Sequence, residues 1–429
     1  MLGHRRLSDA QPLRRRRHRA LLGHGQGVLE LAKAHRLPSP PAWLRSTPRH
    51  SSYRQRLHRA HGPGYSGGRP RGTGRRPRPA GPPGPGLGPW VSCTRQRRRG
   101  ADVTAARGEG FARRIEPYRS ELLAYCYRML GSAHDAEDLV QDTCLRAWRA
   151  REQYDETRGS LRTWLYRIAT NVCLTALEAR GRRPLPSGLV AASEPLAPLV
   201  SRENTAWLQP LPDSLLGAGD PAGTVIERSS LRLAFAAVLQ HLSARQRGAL
   251  ILREVLGFSA AEAADILGTT VASVNSSLQR ARARVKEFGG GHDQAGEPST
   301  AEQRAWIDRY MKAFERADVE GIQRLLTDDV IMEMPPVINW FAGRGGYGLF
   351  MEWVFEHAGT DWSLKPVAAN GQPGFAAYRR VGEGYALHTL QILTVTTAGI
   401  SRNSVFREAE VFASFGLAAR LDAQGLATA

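Results

Sequence analysis

Long apolar runs are missing from this 429-residue chain, and cysteine is scarce. No stretch of about 18 consecutive apolar residues occurs, so the sequence predicts no membrane span. The cysteines show neither a CxxC pair nor the Cys/His spacing of a metal site; they are Cys93, Cys126, Cys144 and Cys173. We therefore expect reduced cysteines in a cytoplasmic protein, with no metal site, no disulfide framework and no cofactor.

Acidic residues are almost absent from the first 100 positions, which hold 23 Lys and Arg but only 2 Asp and Glu. The remainder carries 36 basic and 38 acidic residues, so the net charge of +19 belongs to the N-terminal stretch. Residues 1–105 are rich in Arg, Pro and Gly, a composition that buries too little apolar surface to fold, and we expect disorder. This stretch is either a basic arm that adds phosphate contacts or has no part in the working protein.

Residues 106–183 hold the strongest helical pattern of the chain. In the first helix, apolar side chains recur with the three-and-four spacing of one helix face, and Ser132 can cap its N-terminus. The outer face is acidic or polar at Asp135, Glu137, Asp138, Gln141 and Asp142. Such a face is suited to contact a basic protein surface, where several charges must act together because single exposed pairs contribute little.

A second helix of this module begins near Ser160 and is basic on its outer face. Arg162, Arg167 and Asn171 lie there, after an aromatic connection that includes Tyr154. One acidic helix followed by one basic helix is typical of a module that contacts a protein with one surface and nucleic acid with the other.

Residues 225–288 return to helical periodicity and contain a helix-turn-helix pattern. Ser259 and Glu262 form a capping box that opens its first helix, and Gly268 suits the left-handed turn that ends it. Thr270 can cap the second helix. The outer face of that helix carries Ser273, Asn275, Ser276, Gln279, Arg280, Arg282 and Arg284. Short polar groups followed by arginines fit base reading in the major groove and then phosphate binding.

Two segments without periodicity connect these parts. Residues 184–224 are rich in Pro, Gly and Ala and predict an extended, unstructured spacer, along which Trp207 and nearby leucines are candidate anchors on a partner. Residues 289–300 begin with three glycines and predict a flexible hinge. The final part, 301–429, begins with helical spacing and changes near Val330 to strand-like runs, which predicts an α+β domain with an antiparallel sheet.

Residues 118–183 closely resemble the promoter-melting domain of bacterial sigma factors of the extracytoplasmic-function (ECF) group. The segment DAEDLVQDTCLRAWR is similar to that family's core-polymerase-binding helix, and GSLRTWLYRIATNVCLTALEARGRR to its helix that engages the −10 promoter element. Residues 225–288 resemble the domain that recognises the −35 element. Because the resemblance begins only near Phe111, we favour the interpretation that residues 1–105 have no part in the working protein.

The resemblance implies an RNA polymerase sigma factor with two all-α modules, whose partners are core RNA polymerase and promoter DNA. It assigns polymerase binding to the acidic face of the first helix and −35 recognition to the outer face of the helix-turn-helix. It assigns −10 recognition to Tyr154, Arg162, Arg167 and Asn171. It also implies that the linker extends toward the RNA-exit path of the polymerase. Two alternatives are a stand-alone ligand-responsive helix-turn-helix regulator and an enzyme with a DNA-binding appendage, neither of which needs residues 118–183.

Residues 301–429 resemble the SnoaL-like (ketosteroid-isomerase-type) conical fold found at the C-terminus of some ECF sigma factors. The resemblance implies an apolar pocket, for which Trp340, Phe341 and His388 are candidate lining. Catalysis would need a carboxylate base facing an oxyanion-stabilising pair. Glu333, Asp361 and His388 are available, but no spacing brings them into one site. We expect a non-catalytic regulatory domain, with a small-molecule ligand as a hypothesis.

Overall fold

The computed structural model describes residues 110–179, 181–216, 230–288 and 298–427, all within one unit of the chain, 62–429. The stretch expected to be disordered, 1–105, lies outside the described residues, as does most of the expected hinge. Within the described ranges, no helix is apolar over the length needed to span a bilayer.

The first module contains α1 (Arg119–Leu130), α2 (Ala133–Arg149) and α3 (Leu161–Ala179), preceded by helical residues 110–118. Gly131 ends α1 in the left-handed conformation, with φ at 72°. The Ser132 hydroxyl then accepts the Asp135 backbone N–H at 3.2 Å, which confirms the predicted cap of α2. The helices bury an aromatic and aliphatic core in which the Tyr125 hydroxyl finds a partner in Thr170, 2.7 Å away.

Four helices form the second module: α4 (Leu233–Leu239), α5 (Ala244–Leu250), α6 (Ala260–Leu267) and α7 (Val271–Phe288). The capping box of Ser259 and Glu262 opens α6, and Gly268 ends it with φ at 59°. The Thr270 hydroxyl accepts the Ser273 backbone N–H at 3.2 Å at the start of α7. The predicted helix-turn-helix of α6 and α7 is therefore confirmed.

The third module begins with α8 (Thr300–Glu315) and α9 (Val319–Arg324). Its strands are β1 (Leu326–Met334), β2 (Val337–Ala342), β3 (Trp362–Ala369), β4 (Gln372–Val381), β5 (Gly384–Thr396), β6 (Gly399–Phe406) and β7 (Arg420–Leu421). Helix α10 (Gly343–Ala358) follows β2, and α11 (Ala409–Ser414) follows β6. The α+β class is confirmed, although the sequence pattern did not indicate α10.

The sheet has the strand order β2-β1-β6-β5-β4-β3, and β7 pairs with β5. Neighbouring strands are antiparallel except β1 and β6, which are parallel. The expectation of an antiparallel sheet was thus incomplete, because the sheet also contains one parallel pair. Its two strands, β1 and β6, are distant in sequence and are neighbours within the sheet. Strand β2 is left at one edge of the sheet.

The described part of the predicted spacer, 184–216, packs against other parts of the chain. Trp207, Leu208 and Leu211 are buried, and an isolated β-bridge joins Pro212 to Ala369 at the end of β3. The expectation of an unstructured spacer was wrong for these residues, because the chain's own modules supply the surfaces on which the linker lies.

Candidate functional site

The outer face of α2 presents most of the acidic side chains predicted for it. Glu137, Asp138 and Gln141 are exposed, and Asp142 is half-buried. The Asp142 carboxylate pairs with Arg146 one turn later at 2.9 Å. The predicted acidic face is thus four residues, Glu137, Asp138, Gln141 and Asp142, and we call it the α2 face.

Asp135 does not belong to this face. Only 8% of its surface is exposed, and its carboxylate lies 2.6 Å from the Arg183 guanidinium, which also donates to the Trp207 carbonyl oxygen at 3.1 Å. The prediction of an exposed Asp135 was wrong, because the basic end of the module folds back over the first turn of α2. The pair fixes the start of the linker instead.

Two apolar side chains that sequence reasoning did not assign to a site extend the α2 face. Leu145 is 51% exposed and Trp148 is 45% exposed, although both are large and apolar. They follow Asp138 and Gln141 at the same helical spacing, which could have indicated their position. The Arg151 guanidinium lies over the Trp148 ring at 4.5 Å from its centroid. Large exposed apolar groups among charges are typical of a protein-docking surface.

The residues predicted to contact the −10 element differ in accessibility. Asn171 is exposed on α3. Tyr154 is half-buried, with its ring 5.3 Å from that of Trp164, and the Arg114 guanidinium lies 5.8 Å from its centroid. The aromatic connection therefore packs against the start of α3.

Arg162 and Arg167, the two basic residues of this set, both contact the second module, although Arg167 remains exposed. The Arg162 guanidinium lies 4.3 Å from the Phe258 ring centroid and also pairs with Glu121. The Arg167 guanidinium lies 3.2 Å from the Asp265 carboxylate on α6. The prediction that Arg162 is an outer-face residue was therefore incomplete: α3 turns this face toward the helix-turn-helix.

The face of α7 that was predicted to read the −35 element is open to solvent. Among its residues only Ser276 is half-buried, and its hydroxyl accepts from Arg280 at 2.6 Å. The exposed residues of this α7 face are Ser273, Asn275, Gln279, Arg280, Arg282 and Arg284. Glu254 and Glu287 lie beside Arg282 and Arg284 respectively, and these pairs are solvent-exposed, so they contribute little energy.

The three residues expected to line one pocket do not lie together. Phe341 faces the inner side of the sheet, with its ring 4.7 Å from that of Phe350. Trp340 is its neighbour on β2 and faces the opposite side, where its indole N–H donates to the Val190 carbonyl oxygen at 2.9 Å. The pocket prediction was wrong in grouping these two, because successive strand residues face opposite sides.

His388 lies elsewhere on the sheet, with its ring 5.4 Å from that of Trp362. Burial, reinforced by Arg407 and Arg379, lowers the pKa of His388 to about 3, so the imidazole is neutral near pH 7. The candidate carboxylates are separate: Glu333 is fully buried on the side of the sheet that faces the linker, whereas Asp361 accepts from the Tyr385 hydroxyl at 2.9 Å. The structure does not unite the three groups in one catalytic constellation.

Three family models match the chain in the order of these modules. Sigma-70 region 2 matches residues 114–183, Sigma-70 region 4 matches 232–285, and a SnoaL-like domain matches 307–403. The ECF RNA polymerase sigma factor SigG of Mycobacterium tuberculosis is 44% identical over 321 residues, which cover 74% of this chain and 86% of SigG. The chain belongs to the ECF sigma factors.

A second relative and a solved structure are also similar to this sigma factor. SigJ of Mycobacterium tuberculosis, also an ECF RNA polymerase sigma factor, is 29% identical over 227 residues, covering 50% of this chain and 62% of SigJ. The crystal structure of SigJ is similar with a TM-score of 0.49 at 22% identity, covering 71% of this chain and 99% of that one. By the residues that the three family models match, α1–α3 of this sigma factor are the region 2 module, α4–α7 the region 4 module, and the third module the SnoaL-like domain.

Proposed function

We propose that this sigma factor binds core RNA polymerase through the α2 face together with Leu145 and Trp148. It reads the −35 element with the outer face of α7, and it engages the unstacked −10 strand with Tyr154, Arg162, Arg167 and Asn171. The main support is one contrast in accessibility: the α2 face and the α7 face are open, whereas Arg162 of α3 is half-buried against Phe258 of region 4 and the exposed Arg167 is paired with Asp265. We infer that the described arrangement is the closed, resting state of a sigma factor that acts in the cytoplasm.

The exposed ion pairs of the closed arrangement are individually weak, whereas other contacts between regions 2 and 4 are buried. An exposed pair such as Arg167–Asp265 contributes about 0–1 kcal/mol. Arg247 of region 4 is 3% exposed and donates to the Met129 carbonyl oxygen at the end of α1, with no carboxylate partner among the described residues. Burial lowers its pKa to about 10, which reflects the cost of enclosing this cation. Separating regions 2 and 4 therefore also breaks buried contacts, so polymerase and DNA binding must supply the free energy for it.

The C-terminal domain is a regulatory module without catalytic activity in this proposal. The assignment of a non-catalytic role is supported by the separation of Glu333, Asp361 and His388. Proton abstraction needs a base and an oxyanion-stabilising group around one substrate.

Purified core polymerase tests the sigma-factor function directly. We expect the full chain to bind core stoichiometrically and to direct initiation from promoters that carry its −35 and −10 elements. Arg280→Ala should weaken −35-dependent initiation about tenfold, because one base contact provides roughly 1–3 kcal/mol of discrimination. Arg245→Ala removes an exposed charge from α5, outside the helix-turn-helix, and should have little effect. Equal footprints and transcript yields for wild type and Arg280→Ala would refute the assigned face.

Removing the carboxylate partner of Arg167 should favour the open arrangement, in which regions 2 and 4 are separated. We expect Asp265→Ala to raise the affinity of the free sigma factor for a single-stranded −10 probe about two- to fivefold, because Arg167 loses its intramolecular partner. Fluorescence anisotropy with a labelled oligonucleotide measures this change. Asp308→Ala is the charge-matched control, since Asp308 is an exposed acid on α8. An equal gain in both variants would mean that net charge, and not release of Arg167, is responsible.

A further inference from the structure

The outer side of edge strand β2 is occupied by residues 187–202 of the linker, which we call the strap. Main-chain hydrogen bonds join the two segments, in the manner of a strand added to a sheet edge. They are Ser193 N–H to the Trp340 carbonyl oxygen at 2.8 Å, Ile338 N–H to that of Val200 at 2.9 Å, and Arg202 N–H to that of Pro336 at 2.9 Å. The SnoaL-like domain thus holds an extended peptide on its sheet edge.

Two side chains of β2 also bind the strap's backbone. The Asn339 amide accepts the Val200 N–H at 2.8 Å and donates to the Pro198 carbonyl oxygen at 3.3 Å. The Trp340 indole N–H donates to the Val190 carbonyl oxygen, as described above. These contacts satisfy backbone groups of a proline-containing segment that cannot form a complete ladder.

The N-terminal end of the strap is anchored on a buried carboxylate. The Ser187 hydroxyl donates to Glu333 at 2.7 Å, and the Ser187 backbone N–H approaches the same oxygen at 3.3 Å. Arg402 binds the other oxygen of Glu333 at 2.5 Å. A buried carboxylate requires such partners, so Glu333 selects a small hydroxyl-bearing residue at this position.

The strap is held by hydrogen bonds and not by burial. Every residue from 187 to 202 is partly or fully exposed, whereas Trp207, Leu208 and Leu211, a few residues later, are buried. Each hydrogen bond of this kind adds little net stability, because it replaces a hydrogen bond to water. The strap therefore combines specific recognition with weak attachment, as expected of a segment that is released and recaptured.

We propose that the SnoaL-like domain is a receptor for an extended peptide, whose resident ligand is the strap, and that docking on core polymerase releases it. The release rests on the proposed sigma-factor function: the strap lies in the linker between regions 2 and 4, and these must separate before Arg162, which packs on Phe258 of region 4, reaches DNA. The chain's own linker is thus the ligand through which the C-terminal domain regulates the sigma factor.

Hydrogen exchange of the full chain, followed by mass spectrometry, tests the receptor without polymerase. Ser187→Asp places a second carboxylate against Glu333 and should accelerate exchange across the strap and β2 at least tenfold. Ser187→Thr keeps the hydroxyl and should behave as wild type. Ser201→Asp adds the same charge at an exposed strap position that has no side-chain contact with Glu333, and it should leave exchange unchanged. Protection of β5 must persist in all variants, which separates release from unfolding.

A synthetic peptide of residues 184–204 provides an independent measurement. In the Ser187→Asp chain the strap is expected to have left the edge of β2. The peptide should therefore bind this chain much more tightly than it binds the wild type. If strap exchange in Ser187→Asp matches wild type and the peptide binds neither chain, the strap is a permanent part of the fold and the receptor proposal fails.

Adding core polymerase to the wild-type chain tests the release. We expect exchange in the strap and β2 to rise at least tenfold. Stoichiometric polymerase binding with an unchanged strap would overturn release on docking while leaving the sigma-factor function intact. Absence of polymerase binding would instead overturn the proposed function, and the polymerase-free variants would still decide whether the edge is a receptor.

Discussion

Replacing Asn370 with alanine should lower the free energy of unfolding by about 3 kcal/mol. Asn370 lies at the tip of the β3–β4 hairpin, is fully buried, and contacts three parts of the chain. Its amide nitrogen donates to the Tyr127 hydroxyl at 2.8 Å and the Leu231 carbonyl oxygen at 2.6 Å, and its oxygen accepts the Leu211 N–H at 2.8 Å. Each buried group left without its partner costs roughly 1–3 kcal/mol.

The backbone at Asn370 adds a further cost for alanine. Its φ of 58° is tolerated by asparagine but disfavoured for alanine by about 1 kcal/mol. Asn370→Gly removes the same hydrogen bonds without this strain and should therefore lose less stability than Asn370→Ala. Urea unfolding followed by circular dichroism measures both. A loss below about 1 kcal/mol for Asn370→Ala would mean that the hairpin tip does not hold region 2, the linker and region 4 together.

Replacing Trp148 with alanine should weaken binding to core polymerase about 30-fold. Truncating a central aromatic anchor costs about 2 kcal/mol or more, whereas each exposed charge of the α2 face contributes little. Trp148 has nearly half of its surface exposed and supports the Arg151 guanidinium, so its removal should not disturb the core of region 2.

A matched control exists in the SnoaL-like domain. Trp306 carries the Arg309 guanidinium at 4.1 Å from its ring centroid, an arrangement similar to that of Trp148 and Arg151. Trp306→Ala should leave the dissociation constant for core polymerase unchanged, as measured by biolayer interferometry. Similar losses in both variants, or none in Trp148→Ala, would exclude Trp148 as the anchor of the docking surface.

Local signals allowed the helix ends to be predicted from the sequence. Ser132 and Ser259 act on backbone groups three residues away, and Gly268 acts at its own position. Helix α10 escaped prediction because its first turns contain Gly343, Gly345, Gly346 and Gly348, which disfavour a helix in isolation. Packing of Tyr347, Phe350 and Phe355 in the domain core overrides that preference.

Contacts between distant segments could not be predicted in the same way. Asp135 looks like a surface acid until Arg183, 48 residues later, returns to it. Arg167 looks free until Asp265, 98 residues later, reaches it. The strap has no side-chain periodicity because its main chain makes most of its contacts. The separation of Trp340 and Phe341, by contrast, follows from strand geometry once β2 is recognised as a strand.

The covered edge of β2 has a consequence for solubility. A bare strand edge presents unpaired N–H and C=O groups, which serve as a template for joining another molecule and for aggregation. While residues 187–202 lie along it, this sigma factor is protected from such self-association. A sigma factor whose strap has been released should therefore self-associate unless it is bound to RNA polymerase. In the free protein, the strap itself prevents this self-association.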